Sequence, residues 1–151
     1  MKITIIGAGN IGSAVAACLA KGHLYNEKDI IISTPHTDKL ENLHKQFPAI
    51  RIMTENQYAI SEADIIILAV KPCIVDESPL RFSRTQILVS LVTGISISHL
   101  AHLSETEMPI FRVVPNIAIT EHSSLTLITS RKAGKEHQQL IKQTFEEGGK
   151  C

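Results

Sequence analysis

The sequence predicts an α/β fold in which a doubly wound, mostly parallel sheet carries helices on both faces, in three layers. Three observations predict it. Short β-branched runs alternate with helical segments, a glycine-rich turn joins the first run to the first helical segment, and most of the β-branched runs are continuously apolar. Continuous apolar runs are typical of parallel strands that are buried on both faces. With 151 residues, residues 1–151 are expected to form a single Rossmann-like domain.

The first unit of this fold is expected at the start of the chain. Lys2–Ile6 is predicted as a strand, and the alanine-rich segment after the turn is predicted as a helix that Gly22 ends. Between them, residues 7–12 read Gly-Ala-Gly-Asn-Ile-Gly. A G-x-G-x-x-G turn between a strand and a helix is typical of a dinucleotide-binding unit.

Each glycine of this turn has a separate expected role. Gly7 lets the chain turn sharply off the strand, Gly9 lets a pyrophosphate approach the backbone, and Gly12 lets the helix pack close to the sheet. The phosphates are expected on free N–H groups at the helix N-terminus, where the helix dipole also favours negative charge. The sequence therefore predicts an NAD(P)-binding domain.

The remaining elements follow from periodicity and from turn residues. Further strands are expected at Asp29–Thr34, Ile50–Met53, Asp64–Val70, Ile87–Val92, Pro109–Val114 and Leu125–Thr129. Helices are expected between Thr37 and Pro48, in a short segment ending at Ser61–Ala63, irregularly within Cys73–Gln86, after a cap at Ser96 or Ser98, and at Lys132–Phe145.

Composition excludes several classes of function. The numbers of basic and acidic residues are equal, with 15 lysine plus arginine and 15 aspartate plus glutamate. Aromatic residues make up 4% of the chain and tryptophan is absent, so we expect no nucleic-acid partner.

The three cysteines lack disulfide or metal-binding spacing. His99 and His102 share a predicted helix without a third ligand, and we expect no metal. The apolar runs are too short to span a membrane, and a cytoplasmic location is expected.

Candidate ligand contacts lie where the predicted strands end, because open α/β sheets bind ligands at the carboxyl edge. NAD-binding proteins usually place a carboxylate after the second strand, whereas this chain has Ser33, Thr34, Pro35 and His36 there. The absence of a carboxylate favours NADP, with NAD still possible. Lys71 is either a donor to the nicotinamide ribose or the first solvated residue after a strand. Asn116 either contacts the ligand or stabilises its own turn.

Four blocks resemble a known family. They are Ile6–Ala14, Ala69–Pro72, Ser90–Ser96 and Arg112–Asn116, and together they resemble the N-terminal domain of pyrroline-5-carboxylate reductases over nearly the whole chain. That family reduces 1-pyrroline-5-carboxylate to proline with NAD(P)H. The resemblance implies three groups of cofactor-binding residues: Gly9, Asn10, Ile11 and Gly12 at the pyrophosphate; Ser33, Thr34 and Asn56 at the adenosine end; and Ala69, Val70, Lys71, Pro72 and Asn116 at the nicotinamide.

The chain departs from the family in three places. The loop after the second predicted strand lacks the family's arginine, Ile117-Ala118 replaces Thr-Pro, and the sequence ends at Cys151, where the family's all-helical C-terminal domain is expected to begin. In the family that domain forms the dimer and binds the imino acid. We therefore expect a cofactor-binding half that is poorly active alone, from a parent enzyme that is a homo-oligomer. The alternatives are another NADP-dependent imine or carbonyl oxidoreductase of the superfamily, and a non-catalytic nucleotide-binding module.

The catalytic residues are not identified by the sequence. No Ser/His/Asp or Cys/His constellation can be assembled from local patterns. Hydride transfer needs no protein nucleophile, because the cofactor supplies the chemistry and the protein supplies orientation.

Overall fold

The computed structural model describes residues 1–35, 37–70, 81–92, 94–104, 108–114 and 127–149. Within these residues, seven strands form one sheet: β1 Ile3–Ile6, β2 Ile30–Ser33, β3 Arg51–Met53, β4 Ile65–Leu68, β5 Ile87–Ser90, β6 Ile110–Val114 and β7 Leu127–Arg131. The strand order is β3-β2-β1-β4-β5-β6-β7. All neighbouring strands are parallel except β6 and β7, which are antiparallel. The predicted doubly wound, mostly parallel sheet is confirmed.

The helices of the described residues are α1 Asn10–Lys21, α2 Glu41–Gln46, α3 Asn56–Ser61, α4 Ile97–Ser104 and α5 Lys135–Gly149. Two 3₁₀ turns, Glu27–Asp29 and Thr37–Leu40, precede β2 and α2. Gly22 ends α1 as predicted, and its N–H donates to the carbonyls of Cys18 and Leu19. Ser96 is the predicted cap of α4, and its Oγ accepts the N–H of His99.

The strands form two apolar layers because successive side chains of a strand point to opposite faces. Ile5 of β1 and Ile67 of β4 pack in the same cluster as Val15 of α1 and Ile141 of α5. On the other face, Ile66 packs with residues of α3 and α4. The residues of β1, β2, β4 and β5 are all buried, as the continuous apolar runs predicted. The helices on both faces confirm the three-layer arrangement.

Two predicted helices differ from the structure. The last helix begins at Lys135 rather than Lys132, because Lys132 has a positive φ of 55° that no right-handed helix accommodates. Residues 81–86, which the sequence placed in an irregular helix, form a turn. Side chains replace helical bonds there: the Ser83 N–H donates to Gln86 Oε1 and the Thr85 N–H to Ser83 Oγ. The first part of that predicted helix, 73–80, lies outside the described residues.

Among the described residues, no helix is both long enough and apolar enough to cross a membrane.

Candidate nucleotide-binding site

The candidate site lies at the carboxyl edge of the sheet, between β1 and β4. In the sheet, β1 lies between β2 and β4. The chain continues from β1 through α1 to β2 on one side, whereas β4, on the other side, comes later in the sequence. This is a topological switch point, where the loops of adjacent strands diverge and open α/β sheets bind their ligands. The Ala69 N–H donates to the Ile6 carbonyl over 2.8 Å, so the two loops begin side by side.

Gly7 makes the sharp turn off β1 that the sequence predicted. Its φ of 109° lies in a region that other residues rarely adopt. A Cβ on Gly7 would lie 2.5 Å from the carbonyl oxygen of Ala69 and 3.0 Å from Cγ1 of Val70. The Gly7 N–H donates to the Ser33 carbonyl over 2.8 Å, which joins the turn to β2. Gly7, Ala69 and Val70 are thus brought together as one wall of the site.

Gly12 lies against the same turn from the side of α1. A Cβ on Gly12 would collide with the carbonyl oxygen of Gly7 and would lie 3.4 Å from Cβ of Ala69. The first turn of α1 therefore packs directly on the backbone of the glycine turn, as predicted for the third glycine. Ile11, next to it, is half-buried and packs against the apolar cluster under α1.

Gly9 is different, because nothing in the protein requires a glycine there. Its φ of −71° and ψ of −169° are open to any residue, and no heavy atom lies within 4 Å of a Cβ built on it. Gly9 is exposed and is the N-cap residue of α1. The space above it is open, which fits the predicted close approach of a pyrophosphate to the backbone.

The N-terminus of α1 is suited to an anion. Asn10 begins the helix, no side chain caps it, and its first turn carries no acidic residue. The first N–H groups of a helix have no intrahelical partner, and the helix dipole adds partial positive charge at this end. The Ser13 N–H bonds to the Gly9 carbonyl, and the Ser13 hydroxyl donates to the Ala8 carbonyl over 3.2 Å. The turn is therefore held in place, with N–H groups of the first turn available to phosphate oxygens.

At the end of β2, the structure gives Ser33 a different partner from the expected one. The sequence predicted its hydroxyl as a contact of the adenosine ribose, but the side chain is fully buried beneath α3. Its Oγ donates instead to Oδ1 of Asn56 over 2.7 Å. Thr34 is also buried, and its N–H donates to the Met53 carbonyl. Asn56 is the half-buried polar side chain that reaches this edge from α3.

Other predicted contacts fall where the structure gives no description. His36, Lys71, Pro72 and Asn116 lie outside the described residues. Their expected contacts with the adenosine and nicotinamide ends remain predictions from the sequence.

Side chains that sequence reasoning missed hold α3 in place. The amide of Gln57 forms two hydrogen bonds with the backbone of Arg81, at 2.8 and 2.9 Å. The buried Gln86 donates from Nε2 to the carbonyls of Ile60 and Ala63. In the sequence, Gln86 is a polar residue directly before the apolar run Ile87–Val92, and a polar residue in that position normally lies in solvent. Local patterns therefore gave no sign of its burial.

His99 and His102 are both exposed on α4. Among the described residues, no three histidine, cysteine, aspartate or glutamate side chains lie close enough together to hold an ion.

Comparison with known proteins points to one group of oxidoreductases. The sequence model of the family described as "NADP oxidoreductase coenzyme F420-dependent" matches residues 2–94. Pyrroline-5-carboxylate reductase of Escherichia coli is 31% identical over 132 residues, which cover 85% of this chain and 49% of that protein. The resemblance to pyrroline-5-carboxylate reductases that the sequence predicted is confirmed.

Solved structures agree with the sequence comparison. The 1-pyrroline-5-carboxylate reductase of Streptococcus pyogenes matches with a TM-score of 0.85 and 28% identity, over 99% of this chain and 56% of that chain. A pyrroline carboxylate reductase of Plasmodium falciparum with NADP bound shares the fold, with a TM-score of 0.83 at 22% identity over 99% of this chain and 55% of that chain. The present chain spans about half the length of these relatives.

Proposed function

Because the chain belongs to the family of coenzyme F420-dependent NADP oxidoreductases, we propose that it binds NADP(H) at the carboxyl edge of its sheet. In this proposal, residues 1–151 form one nucleotide-binding domain. Gly9, Asn10, Ile11 and Gly12 hold the pyrophosphate on the first turn of α1.

The observation that carries the proposal is the difference among the three glycines. Gly7 and Gly12 are required by backbone conformation and by packing, whereas Gly9 faces open space. A glycine without an internal reason, at an uncapped helix N-terminus and beside a switch point, is best explained by a ligand that lies against its backbone.

The reaction that we propose is the reduction of 1-pyrroline-5-carboxylate to proline, by similarity to the relatives named above. When bound, NADPH would supply a hydride to the carbon of the C=N bond and the imine nitrogen would gain a proton, so that NADPH would become NADP⁺ and the imine an amine. The protein contributes orientation, because holding both reactants at near-attack distance supplies much of the rate. Ala69 and Val70, together with Lys71, Pro72 and Asn116, form the proposed nicotinamide side.

We propose NADP rather than NAD as the preferred cofactor. The β2 strand ends in Ser33-Thr34-Pro35, without the carboxylate that hydrogen-bonds the ribose hydroxyls of NAD and repels a 2′-phosphate. His36 is the nearest basic residue in the sequence and is proposed to approach the 2′-phosphate.

The proposed partners are an imino-acid substrate and, in the parent enzyme, a second copy of the protein joined through a helical domain. The proposed compartment is the cytoplasm, because three cysteines without disulfide spacing fit a reducing environment.

Titration of NADPH fluorescence tests the first part of the proposal. The chain has no tryptophan, so protein emission interferes little with the cofactor signal. Saturable binding of NADPH by the 151-residue chain is expected, with weaker binding of NADH. Absence of saturable binding of either cofactor at millimolar concentration would overturn the proposal.

Turnover assays test the second part. NADPH oxidation is followed with 1-pyrroline-5-carboxylate and with a panel of other cyclic imines and ketones. We expect slow oxidation that depends on 1-pyrroline-5-carboxylate. Faster reduction of another imine or ketone indicates a different reductase of the superfamily. Tight cofactor binding without turnover of any substrate indicates a module that only holds the nucleotide.

A further inference from the structure

Arg112 is a charged residue in the interior of the sheet. It lies in β6, which has a neighbouring strand on each side. The other described strands with two neighbours, β1, β2, β4 and β5, contain no charged residue. Arg112 is half-buried, and its Nε is buried without a hydrogen-bond partner among the described residues. Because an unsatisfied buried donor costs more when it is charged, a guanidinium in this position requires a partner.

The strand register places Arg112 in the last row of the sheet. Ile6 is in register with Leu68, and Leu68 with Ser90. Ser90, the last residue of β5, is in turn in register with Arg112. Arg112 is therefore level with the residues from which the chain enters the loops of the candidate site. Adjacent strands lie about 4.8 Å apart, so three spacings put the Cα of Arg112 roughly 14 Å from that of Ile6.

The elements around Arg112 contain no carboxylate. Side chains two positions apart in a strand share a face, and Ile110 packs in the same cluster as Leu100 of α4. Arg112 therefore projects on the α4 side of the sheet. Residues 87–104, which form β5, the loop after it and α4, include no aspartate or glutamate, and neither do β6 and β7. An anionic partner of Arg112 must come from outside these elements.

The phosphates of the cofactor are too far away to be that partner. The proposed pyrophosphate site lies on the first turn of α1, beyond β1, and one arginine side chain does not span three strands of a sheet. A dinucleotide that runs along this edge from β2 across β1 directs its nicotinamide towards β4. The part of the edge above β5 and β6 is then left for the molecule that the nicotinamide reduces.

We propose that Arg112 binds the carboxylate of the imino-acid substrate. The planar guanidinium presents its N–H donors in a fork that matches the two oxygens of a carboxylate. In 1-pyrroline-5-carboxylate, the carboxylate and the C=N carbon lie on opposite sides of the ring nitrogen, so that holding the carboxylate over β6 turns the C=N carbon towards the nicotinamide. This inference rests on the proposed function. It adds a substrate contact from the nucleotide-binding half to those expected of the helical domain.

Calorimetric titration of the NADPH-saturated 151-residue chain with L-proline and with pyrrolidine tests the proposal. L-Proline is the product and retains the carboxylate, pyrrolidine is the same ring without it, and neither is reduced by NADPH. Saturable binding of L-proline is expected, with pyrrolidine binding at least about tenfold weaker. Equal affinity for the two compounds, or no binding of L-proline, overturns the inference.

Arg112→Met assigns the carboxylate contact to this residue, with Arg51→Met as its matched control. Methionine keeps an unbranched apolar stem and removes the guanidinium. Arg51 also lies in a strand, but in β3 at the opposite edge of the sheet, and its side chain is 40% exposed. Arg112→Met is expected to weaken L-proline binding at least about tenfold and to leave NADPH affinity within about twofold of wild type. Arg51→Met is expected to leave both affinities unchanged.

The melting temperature without ligand separates a binding role from a structural one. Replacing a buried charge by an apolar side chain is often neutral or stabilising, so Arg112→Met is expected to melt at or above the wild-type temperature. Arg112→Gln, a polar but neutral replacement, is a second variant that is expected to lose L-proline binding to the same extent. Unchanged L-proline affinity in either folded variant overturns this inference and leaves the proposed function standing. A wild-type protein that does not bind NADPH overturns both.

Discussion

Alanine substitutions in the glycine turn separate ligand binding from folding. At Gly12, an added Cβ collides with the Gly7 carbonyl and also meets the Gly7 carbonyl carbon at 3.1 Å. These are backbone atoms, so no side-chain rotation relieves the contact, and α1 must move off the sheet. Overpacking of this kind costs about 1–3 kcal/mol, against a gain of about 1 kcal/mol from the better helix propensity of alanine.

At Gly9, the same change meets no atom within 4 Å and no forbidden backbone angle. The free energy of unfolding is expected to change by less than about 0.5 kcal/mol, because reduced freedom of the unfolded chain offsets the poorer N-cap. The methyl group instead projects into the space assigned to the pyrophosphate. NADPH binding is expected to weaken by at least tenfold, which corresponds to about 1.4 kcal/mol.

The assay compares urea unfolding, followed by far-ultraviolet circular dichroism, with NADPH titration for wild type, Gly9→Ala and Gly12→Ala. Gly9→Ala is expected to match the wild-type unfolding midpoint and to lose affinity, whereas Gly12→Ala is expected to lose stability as well. Retention of full NADPH affinity by a folded Gly9→Ala variant would refute the placement of the pyrophosphate at this turn.

Three further substitutions test how the fold is held. Gln86→Leu removes the side-chain N–H groups that donate to the buried Ile60 and Ala63 carbonyls. We expect the free energy of unfolding in urea to fall by about 2–3 kcal/mol, and a fall below about 0.5 kcal/mol would contradict the role of Gln86 in holding α3. Tyr25→Phe removes a 2.8 Å hydrogen bond to Thr144, which keeps its bond to a helix carbonyl; a cost of about 1 kcal/mol is expected, and an unchanged unfolding midpoint would show that the bond adds nothing. Arg51→Gln breaks the 2.8 Å ion pair between Arg51 and Glu62, whose side chains are 40% and 28% exposed. We expect the free energy of unfolding to fall by less than about 1 kcal/mol, and by less still with added salt; a larger loss that salt does not change would contradict a solvent-screened pair.

The order of elements and the glycine turn could be predicted because their causes are local. A run such as Ile65–Leu68 forms a buried strand through its own β-branched or apolar side chains, and Gly7 and Gly12 are recognised by their spacing between a strand and a helix. The start of the last helix could not be predicted in this way, because the apolar residues that indicate this helix, Leu140, Ile141 and Phe145, lie well inside it, whereas its start follows the positive φ of Lys132.

The role of Ser33 depends on contacts between distant parts of the chain. Its position at the end of β2 follows from the pattern of the run that precedes it, and that position indicated a ligand contact. Its burial comes from α3, which places Asn56 over it across 23 positions of sequence. Likewise, Gln86 resembles a solvated residue until Ile60 and Ala63 are seen beside it. Patterns of neighbouring residues specify strands, helices and turns, but a polar side chain is assigned to a ligand or to the protein by the segments that pack against it in three dimensions.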